Sequence, residues 1–205
     1  FYAIEKDKNL YLNLKKKFNF DYNLINEDAL KVDWTNLIKE QCIVYGNLPY
    51  NISSKILIDW IRLNNLNTIF KKFILMFQKE VADRIVAKVN TKKYGRLTIL
   101  SNWKLSAEKI MDINPENFYP KPKVKSSLLY LEPKNDLFYF NNIKNLEKVT
   151  DVFFQNRRKM IKKPLSILFK HPSEIINKLN LDEKCRPQNL DQLTYFKITR
   201  ELEKK

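Results

Sequence analysis

Glycine, cysteine and histidine are scarce in this 205-residue chain, with two, two and one respectively. The lone His171 stands before Pro172 and reads as a loop residue, which sets aside acid/base or nucleophilic chemistry built on histidine. Cys42 lies inside an apolar run and Cys185 beside Arg186, with neither the number nor the spacing of a disulfide framework or a zinc site. A metal-free, intracellular protein is expected. No apolar run approaches the roughly 18 residues needed to cross a bilayer, so no membrane partner is expected and the chain reads as cytoplasmic. Only Gly46 and Gly95 occur, so there is no Gly-rich turn of the kind that cradles a nucleotide-like ligand after a first strand. Such a turn lies roughly 20 residues ahead of an acid at the end of the next strand; with Glu5 as that acid, it falls before residue 1. The opening run Phe1-Tyr2-Ala3-Ile4-Glu5 has no initiator Met and no signal-peptide pattern. It looks like the interior of a strand, so the natural protein is expected to begin earlier.

What the chain has in excess is positive charge. Lys and Arg number 38 against 23 Asp and Glu, a formal net charge of +15. Lys supplies 31 of those cations and there are 23 Asn, a skew that codon bias alone can produce. The excess nevertheless runs along the whole chain, with 23 basic against 14 acidic residues up to Asn135 and 15 against 9 beyond it. That distribution favours a polyanionic partner, nucleic acid first. Hydrophobic residues make up 44% of a 24.7 kDa chain, enough for a real core.

Short apolar runs alternate with helical periodicities in the first two thirds. Phe1 to Glu5, Tyr22 to Asn26, Cys42 to Tyr45 and Phe73 to Phe77 read as buried strands. Between them, Leu10, Leu14 and Phe18 share one helical face, as do Ile52, Ile56, Leu57, Trp60 and Ile61 after an expected Ser53 cap. Lys79 to Ala87 gives a third helix. This alternation predicts an α/β protein with a parallel sheet. Ala107 to Ile113 and Val124 to Leu131, joined through Pro115 to Pro122, predict a closing hairpin or antiparallel edge. From Asn141 onward strand signals stop, and three or four helices follow, punctuated by Pro172 and Pro187. Leu193 to Lys205 is a polar, Lys-rich helical pattern. A boundary is placed near Pro133 to Asn141, giving domains 1–135 and 136–205, and Phe138, Tyr139 and Phe140 are expected to pack between them.

The most informative segment is Val44-Tyr45-Gly46-Asn47-Leu48-Pro49-Tyr50-Asn51-Ile52-Ser53. It follows an apolar strand and precedes an amphipathic helix, which puts it at the carboxyl edge of a parallel sheet, where ligands bind. Pro49 fixes its own φ and biases Leu48 toward extended backbone, so the carbonyls of Leu48 and Pro49 can point out of the loop. Asn47 adds a side-chain carbonyl and Tyr50 a flat ring. Two acceptors and one stacking face suit an exocyclic amino group on a flipped-out adenine, although an ordinary Pro-containing turn reads the same way.

These residues resemble the signature loop of the rRNA adenine N6-dimethyltransferases, which dimethylate two adjacent adenines near the 3′ end of small-subunit rRNA. Further segments are similar to that family in order along the chain: Ile4-Glu5-Lys6-Asp7, Asn26-Glu27-Asp28-Ala29-Leu30, Met76 to Arg84, and Tyr94-Gly95-Arg96-Leu97. So are Phe118, Pro120, Pro122, Lys123, Val124 and Ser126, in an F-x-P-x-P-K-V-x-S pattern, and Phe154-Gln155-Asn156-Arg157-Arg158-Lys159. The resemblance implies a class I, Rossmann-like methyltransferase sheet with helices on both faces, plus a small all-α C-terminal domain that binds RNA.

It also implies roles. Glu5, with Lys6 beside it, would meet the ribose hydroxyls of S-adenosylmethionine; Asp28 would accept from the cofactor's adenine amino group and Ala29 offer a backbone N–H. Asn47 would stand between cofactor and substrate. Its carbonyl and that of Leu48 or Pro49 would accept from the target N6 hydrogens, Tyr50 would stack on the target base, and Phe118 would close the other face. Lys121 and Lys123, with the cluster Arg157, Arg158, Lys159, Lys162 and Lys163, would meet rRNA phosphates. The expected partner is small-subunit rRNA or a subunit precursor, met by a monomer. Two other readings stay open on the residues: a large-subunit rRNA adenine dimethyltransferase of the macrolide-resistance type, and a non-catalytic RNA-binding assembly or transcription factor on the same fold. A DNA adenine methyltransferase is more distant, since Leu48 stands where that group has a first Pro.

Overall fold

The computed structural model describes residues 1–18 and 23–204. Its first unit is a parallel pair, β1 (Ala3–Ile4) and β2 (Leu24–Ile25), with Ala3 opposite Leu24 and Ile4 opposite Ile25. Between them runs α1 (Lys8–Lys17), capped by Asp7, which accepts from the Asn9 and Leu10 N–H groups, and ending in Lys15, Lys16 and Lys17. An acid at the N-cap and cations in the last turn complement the helix dipole. Tyr22, the expected start of the second strand, and Lys205, the expected end of the last helix, lie outside the described residues.

A short helix α2 (Trp34–Leu37) leads to the main sheet, in which β3 (Cys42–Asn47), β4 (Phe70–Gln78), β5 (Leu105–Ile113) and β6 (Ser126–Pro133) stand in the order β3-β4-β6-β5. The β3–β4 pair is parallel, with α3 (Ser53–Arg62) and the short α4 (Leu66–Ile69) in the crossover; β6 pairs antiparallel with both β4 and β5. The structure thus bears out an α/β sheet closed by an antiparallel hairpin. In β4, Phe73, Leu75 and Phe77 are fully buried while the residues between them are not, the period of two that packs one face of a strand. From α3, Ile56, Leu57, Trp60 and Ile61 meet them as one stripe. Trp60 stacks on Phe73 at 5.2 Å between centroids and meets Phe70 and Trp34 at 5.7 Å each.

The helices α5 (Lys79–Ile85) and α6 (Arg96–Lys104) follow β4, and α7 (Ile143–Gln155), α8 (Lys162–Leu168), α9 (Pro172–Lys178) and α10 (Gln192–Glu203) complete the chain. No periodicity announces α6. Thr98, Ile99, Leu100, Ser101, Trp103 and Lys104 are buried on every side of it, so it has no apolar stripe. Phe138 and Phe140 do pack between α6 and α10, against Phe196 at 5.6 Å and Trp103 at 5.2 Å. Tyr139 does not: it is 73% exposed, because alternate residues of an extended segment face opposite ways.

Candidate active site

The carboxyl end of β3 carries the loop. Gly46 leaves room there, since a Cβ on it would stand 2.9 Å from Leu75 Cδ2 and 3.1 Å from Leu48 Cδ2. Leu48 can therefore pack down on the sheet, while Asn47, the last strand residue, stays exposed. The Pro49 carbonyl accepts from both the Ile52 N–H, at 3.1 Å, and the Ser53 N–H, at 3.0 Å. Those two bonds use its two lone pairs to start α3. Ser53 is not the cap that its sequence position suggests. It is the first helical residue, behind Ile52, and its hydroxyl donates to the Tyr50 carbonyl at 3.2 Å. Tyr50 itself is half-buried, and its hydroxyl meets Ser126 Oγ at 2.6 Å.

The parallel pairing of β1 and β2 brings two carboxylates to one edge. Glu5 follows β1 directly; its N–H donates to the Ile25 carbonyl, and its own carboxylate accepts from the Asp7 N–H at 2.7 Å. The Asn26 side-chain amide donates to the carbonyls of Glu5 and Lys6, tying the two strand ends together. Asp28 accepts from Lys6 Nζ at 2.8 Å and from the Leu30 N–H at 3.0 Å. These bonds hold its carboxyl below the usual range, and the same pair raises the Lys6 ammonium. Ala29 is half-buried against the core. Two acceptors joined at the ends of adjacent parallel strands fit the hydroxyls and amino group of an adenosine.

Phe118 is half-buried just after a 3-10 turn (Pro115–Asn117), on the connection from β5 to β6. Lys121 and Lys123 on the same connection are exposed, Lys121 pairing with Glu116 at 2.9 Å. Arg158, Lys159, Lys162 and Lys163 are exposed around the α7–α8 turn, with Glu183 3.6 Å from Lys162. Arg157 stands apart from them. Its Nη2 donates to the Lys92 carbonyl at 2.8 Å and the Thr91 carbonyl at 3.3 Å, and its Nε to Gln188 Oε1 at 3.3 Å, so these donors tie it to the connection between α5 and α6 and to Gln188. Sequence reasoning missed a groove where Lys55, Arg62, Arg84, Lys92, Lys93 and Arg96 gather from α3, α5, the connection after it and the start of α6. Those cations are scattered over 42 positions, so no local run signals them.

Beside Ser126 lies a four-charge network. Lys79 pairs with Asp112 and, at 3.8 Å, with Asp83; Lys109 stands 3.1 Å from Asp83 and 3.4 Å from Asp112; Ser127 Oγ donates to Asp112 at 2.7 Å. Lys79, then Ser127, hold the Asp112 carboxyl far below the usual range. A carboxyl depressed on folding stabilises the fold above its unfolded pKa, about 3.9, and that contribution is lost as pH falls below it. Asp112→Asn is accordingly expected to lower Tm at pH 7, with the gap to wild type narrowing steadily as pH falls below about 4 in scanning calorimetry. A gap that is constant across that range contradicts the ionic account.

The sequence model of one family, described as ribosomal RNA adenine dimethylase, matches residues 1–204. A "ribosomal RNA small subunit methyltransferase A" of Pelagibacter ubique is 48% identical over 202 residues, covering 98% of this chain and 77% of that protein. The protein of the same name from Ehrlichia ruminantium is 40% identical, covering 92% and 72%. Among solved structures, a dimethyladenosine transferase from Plasmodium falciparum superposes with a TM-score of 0.82 at 26% identity, over 98% of this chain and 81% of that one. The 23S rRNA methyltransferase ErmE, at 18% identity and a TM-score of 0.66, covers 100% of this chain and 82% of its own, and shows the fold alone.

Proposed function

This chain belongs to the ribosomal RNA adenine dimethylase family, and on that premise we propose that it dimethylates N6 of two adjacent adenines near the 3′ end of small-subunit rRNA during ribosome assembly. The observation that carries the reading is the loop Asn47 to Tyr50, at the sheet's carboxyl edge with Asn47 exposed, and pinned twice at its C-terminal end, by Pro49 to α3 and by Tyr50 to β6. S-adenosylmethionine is the methyl donor and supplies an electrophilic sulfonium methyl. Glu5 and Asp28 would hold its adenosine by the ribose hydroxyls and the amino group, with Lys6 and Ala29 beside them. Lys6 would exchange its contact with Asp28 for solvent, which costs little at a side chain 73% exposed.

At the target, Asn47 Oδ1 and the Leu48 carbonyl accept the two N6 hydrogens for the first transfer and one of them accepts the single remaining hydrogen for the second, while the Pro49 carbonyl serves the helix. That grip localises the N6 lone pair and favours positive charge on nitrogen as the N–C bond forms. The N6 proton then leaves to water, so no titrating side chain is needed. Tyr50 stacks on the base and Phe118 closes the opposite face. Orientation supplies most of the rate. A single copy carries every residue in this scheme, which supports action as a monomer, and we place it in the cytoplasm; among the described residues no helix is long and apolar enough to cross a membrane. We divide the work between a methyltransferase domain, 1–135, and a helical RNA-binding domain, 136–205.

Phosphate contact falls to Lys121, Lys123, Arg158, Lys159, Lys162 and Lys163. Neutralising Arg158, Lys159 and Lys163 together with Gln is expected to reduce the slope of log K against log salt by about two to three, at roughly 0.7 to 0.9 per phosphate. Arg157→Gln is expected to leave that slope unchanged and to lower stability by about 1–3 kcal/mol, the cost of a charged hydrogen-bond clamp. An altered slope for Arg157→Gln returns it to the RNA surface. The function itself is tested by offering the full-length protein labelled S-adenosylmethionine with small-subunit particles lacking the modification and, separately, large-subunit rRNA. Label in the small-subunit rRNA alone supports the proposal; label in the large-subunit rRNA moves it to the resistance type, and salt-sensitive binding without transfer to either leaves a binding factor.

A further inference from the structure

Ser126 is buried completely, yet its hydroxyl reaches a residue of the exposed loop: Oγ lies 2.6 Å from the Tyr50 hydroxyl, across 76 positions of sequence. Nothing in the loop's own sequence requires such a partner. Ser126 opens β6 and pairs with Gln78, the last residue of β4, and with Ile113, the last residue of β5. Its neighbours are fastened on both sides. The Lys79 N–H donates to the Lys125 carbonyl at 2.9 Å, and Ser127 Oγ donates to Asp112, itself held by Lys79 and Lys109. Ser126 is thus a fixed post at the junction of three strands.

A tyrosine on a surface loop can swing about χ1 and χ2, and each wrong setting turns its ring out of the plane a stacked base needs. Tying the far end of the ring to an immobile hydroxyl removes that freedom when the protein folds, before substrate arrives. We infer that Ser126 is a positioning residue for the methyl-transfer reaction: through its hydroxyl it fixes the plane of the Tyr50 ring, and so the angle at which the target adenine presents N6. This inference rests on the methyltransferase reading. Either hydroxyl can donate in the pair. The benefit falls on orientation in the transition state and not on the hold over rRNA, which phosphate contacts elsewhere supply.

The test is a double-mutant cycle on the full-length protein with small-subunit particles. Ser126→Ala and Tyr50→Phe each remove the hydrogen bond, and the second keeps the stacking ring. Each is expected to lower kcat about tenfold, with KM for the particle within twofold of wild type, and the double variant to be no slower than either single one. A Ser126→Ala protein that turns over at the wild-type rate, or losses that multiply in the double variant, overturns the inference. Should Ser126→Ala fail to fold, Tyr50→Phe decides alone, since it cuts the same bond from the exposed side: an unchanged kcat overturns the inference. A wild-type protein that transfers no methyl group refutes the methyltransferase reading, and this inference with it, whereas an active wild type with an inert hydrogen bond refutes this inference only.

Discussion

Asn47→Ala is expected to lower kcat for methyl transfer by about 10²- to 10³-fold while leaving rRNA affinity and Tm close to wild type. The size follows from what Asn47 is asked to do. It offers one of two acceptors aimed at a nitrogen that gains positive charge only in the transition state, and deleting a single preorganised polar group at such a point costs about 3–4 kcal/mol of barrier. The small effect on stability follows from position: Asn47 ends β3 and is exposed, so its side chain supports no core contact. Asn47→Asp keeps an acceptor and is expected to retain more activity than Asn47→Ala. A kinetic comparison of the two variants under single-turnover conditions reads the difference. Equal losses contradict the acceptor role, and a rise in KM with kcat unchanged points to a binding role instead.

The largest effect on stability is expected at Trp60. It is 2% exposed and touches Trp34, Phe70 and Phe73, so it joins α2, α3 and β4 in one contact. Trp60→Ala removes a side chain from a packed interior and leaves a cavity, which costs about 3–5 kcal/mol. Trp60→Phe is expected to cost much less. The indole N–H has no hydrogen-bond partner among the described residues, and removing an unpaired buried donor offsets part of the lost packing. Urea unfolding of the two variants checks both values. A Trp60→Phe protein as unstable as Trp60→Ala indicates that the N–H has a partner after all. The consequence for function is indirect: α3 starts at the Pro49 carbonyl, so loosening the helix loosens the loop.

The parts of this molecule that were legible in the sequence are the local ones. The run from Val44 through Ile61 shows strand, loop and amphipathic helix in ten-residue windows, and the structure places them as β3, the loop and α3. The antiparallel closing hairpin and the all-helical C-terminal part were legible for the same reason, the sequence indicating three or four helices where the structure has four. Three things were not. Helix α6 is buried on all sides, so it lacks the one-sided pattern that marks a helix in sequence. Arg157 sits in a basic cluster but donates to carbonyls 65 and 66 positions away, and charge alone does not say where a guanidinium points. Ser126 stands in the F-x-P-x-P-K-V-x-S pattern, which marked it as part of the motif; its partner Tyr50 emerges only once β6 is laid beside β4. Proline reads similarly. Its fixed φ lets Pro49 turn its carbonyl outward, but the start of α3 uses that carbonyl, because a helix N-terminus must satisfy its first N–H groups.

The most direct measurement is nucleoside mass spectrometry, with positional mapping, of small-subunit rRNA after incubation of undermethylated particles with the full-length protein and S-adenosylmethionine. The account predicts N6,N6-dimethyladenosine at two adjacent adenines near the 3′ end, lost when Asn47→Ala replaces the wild type. Methyl groups on any other base, on ribose, or on no small-subunit nucleotide at all would contradict it.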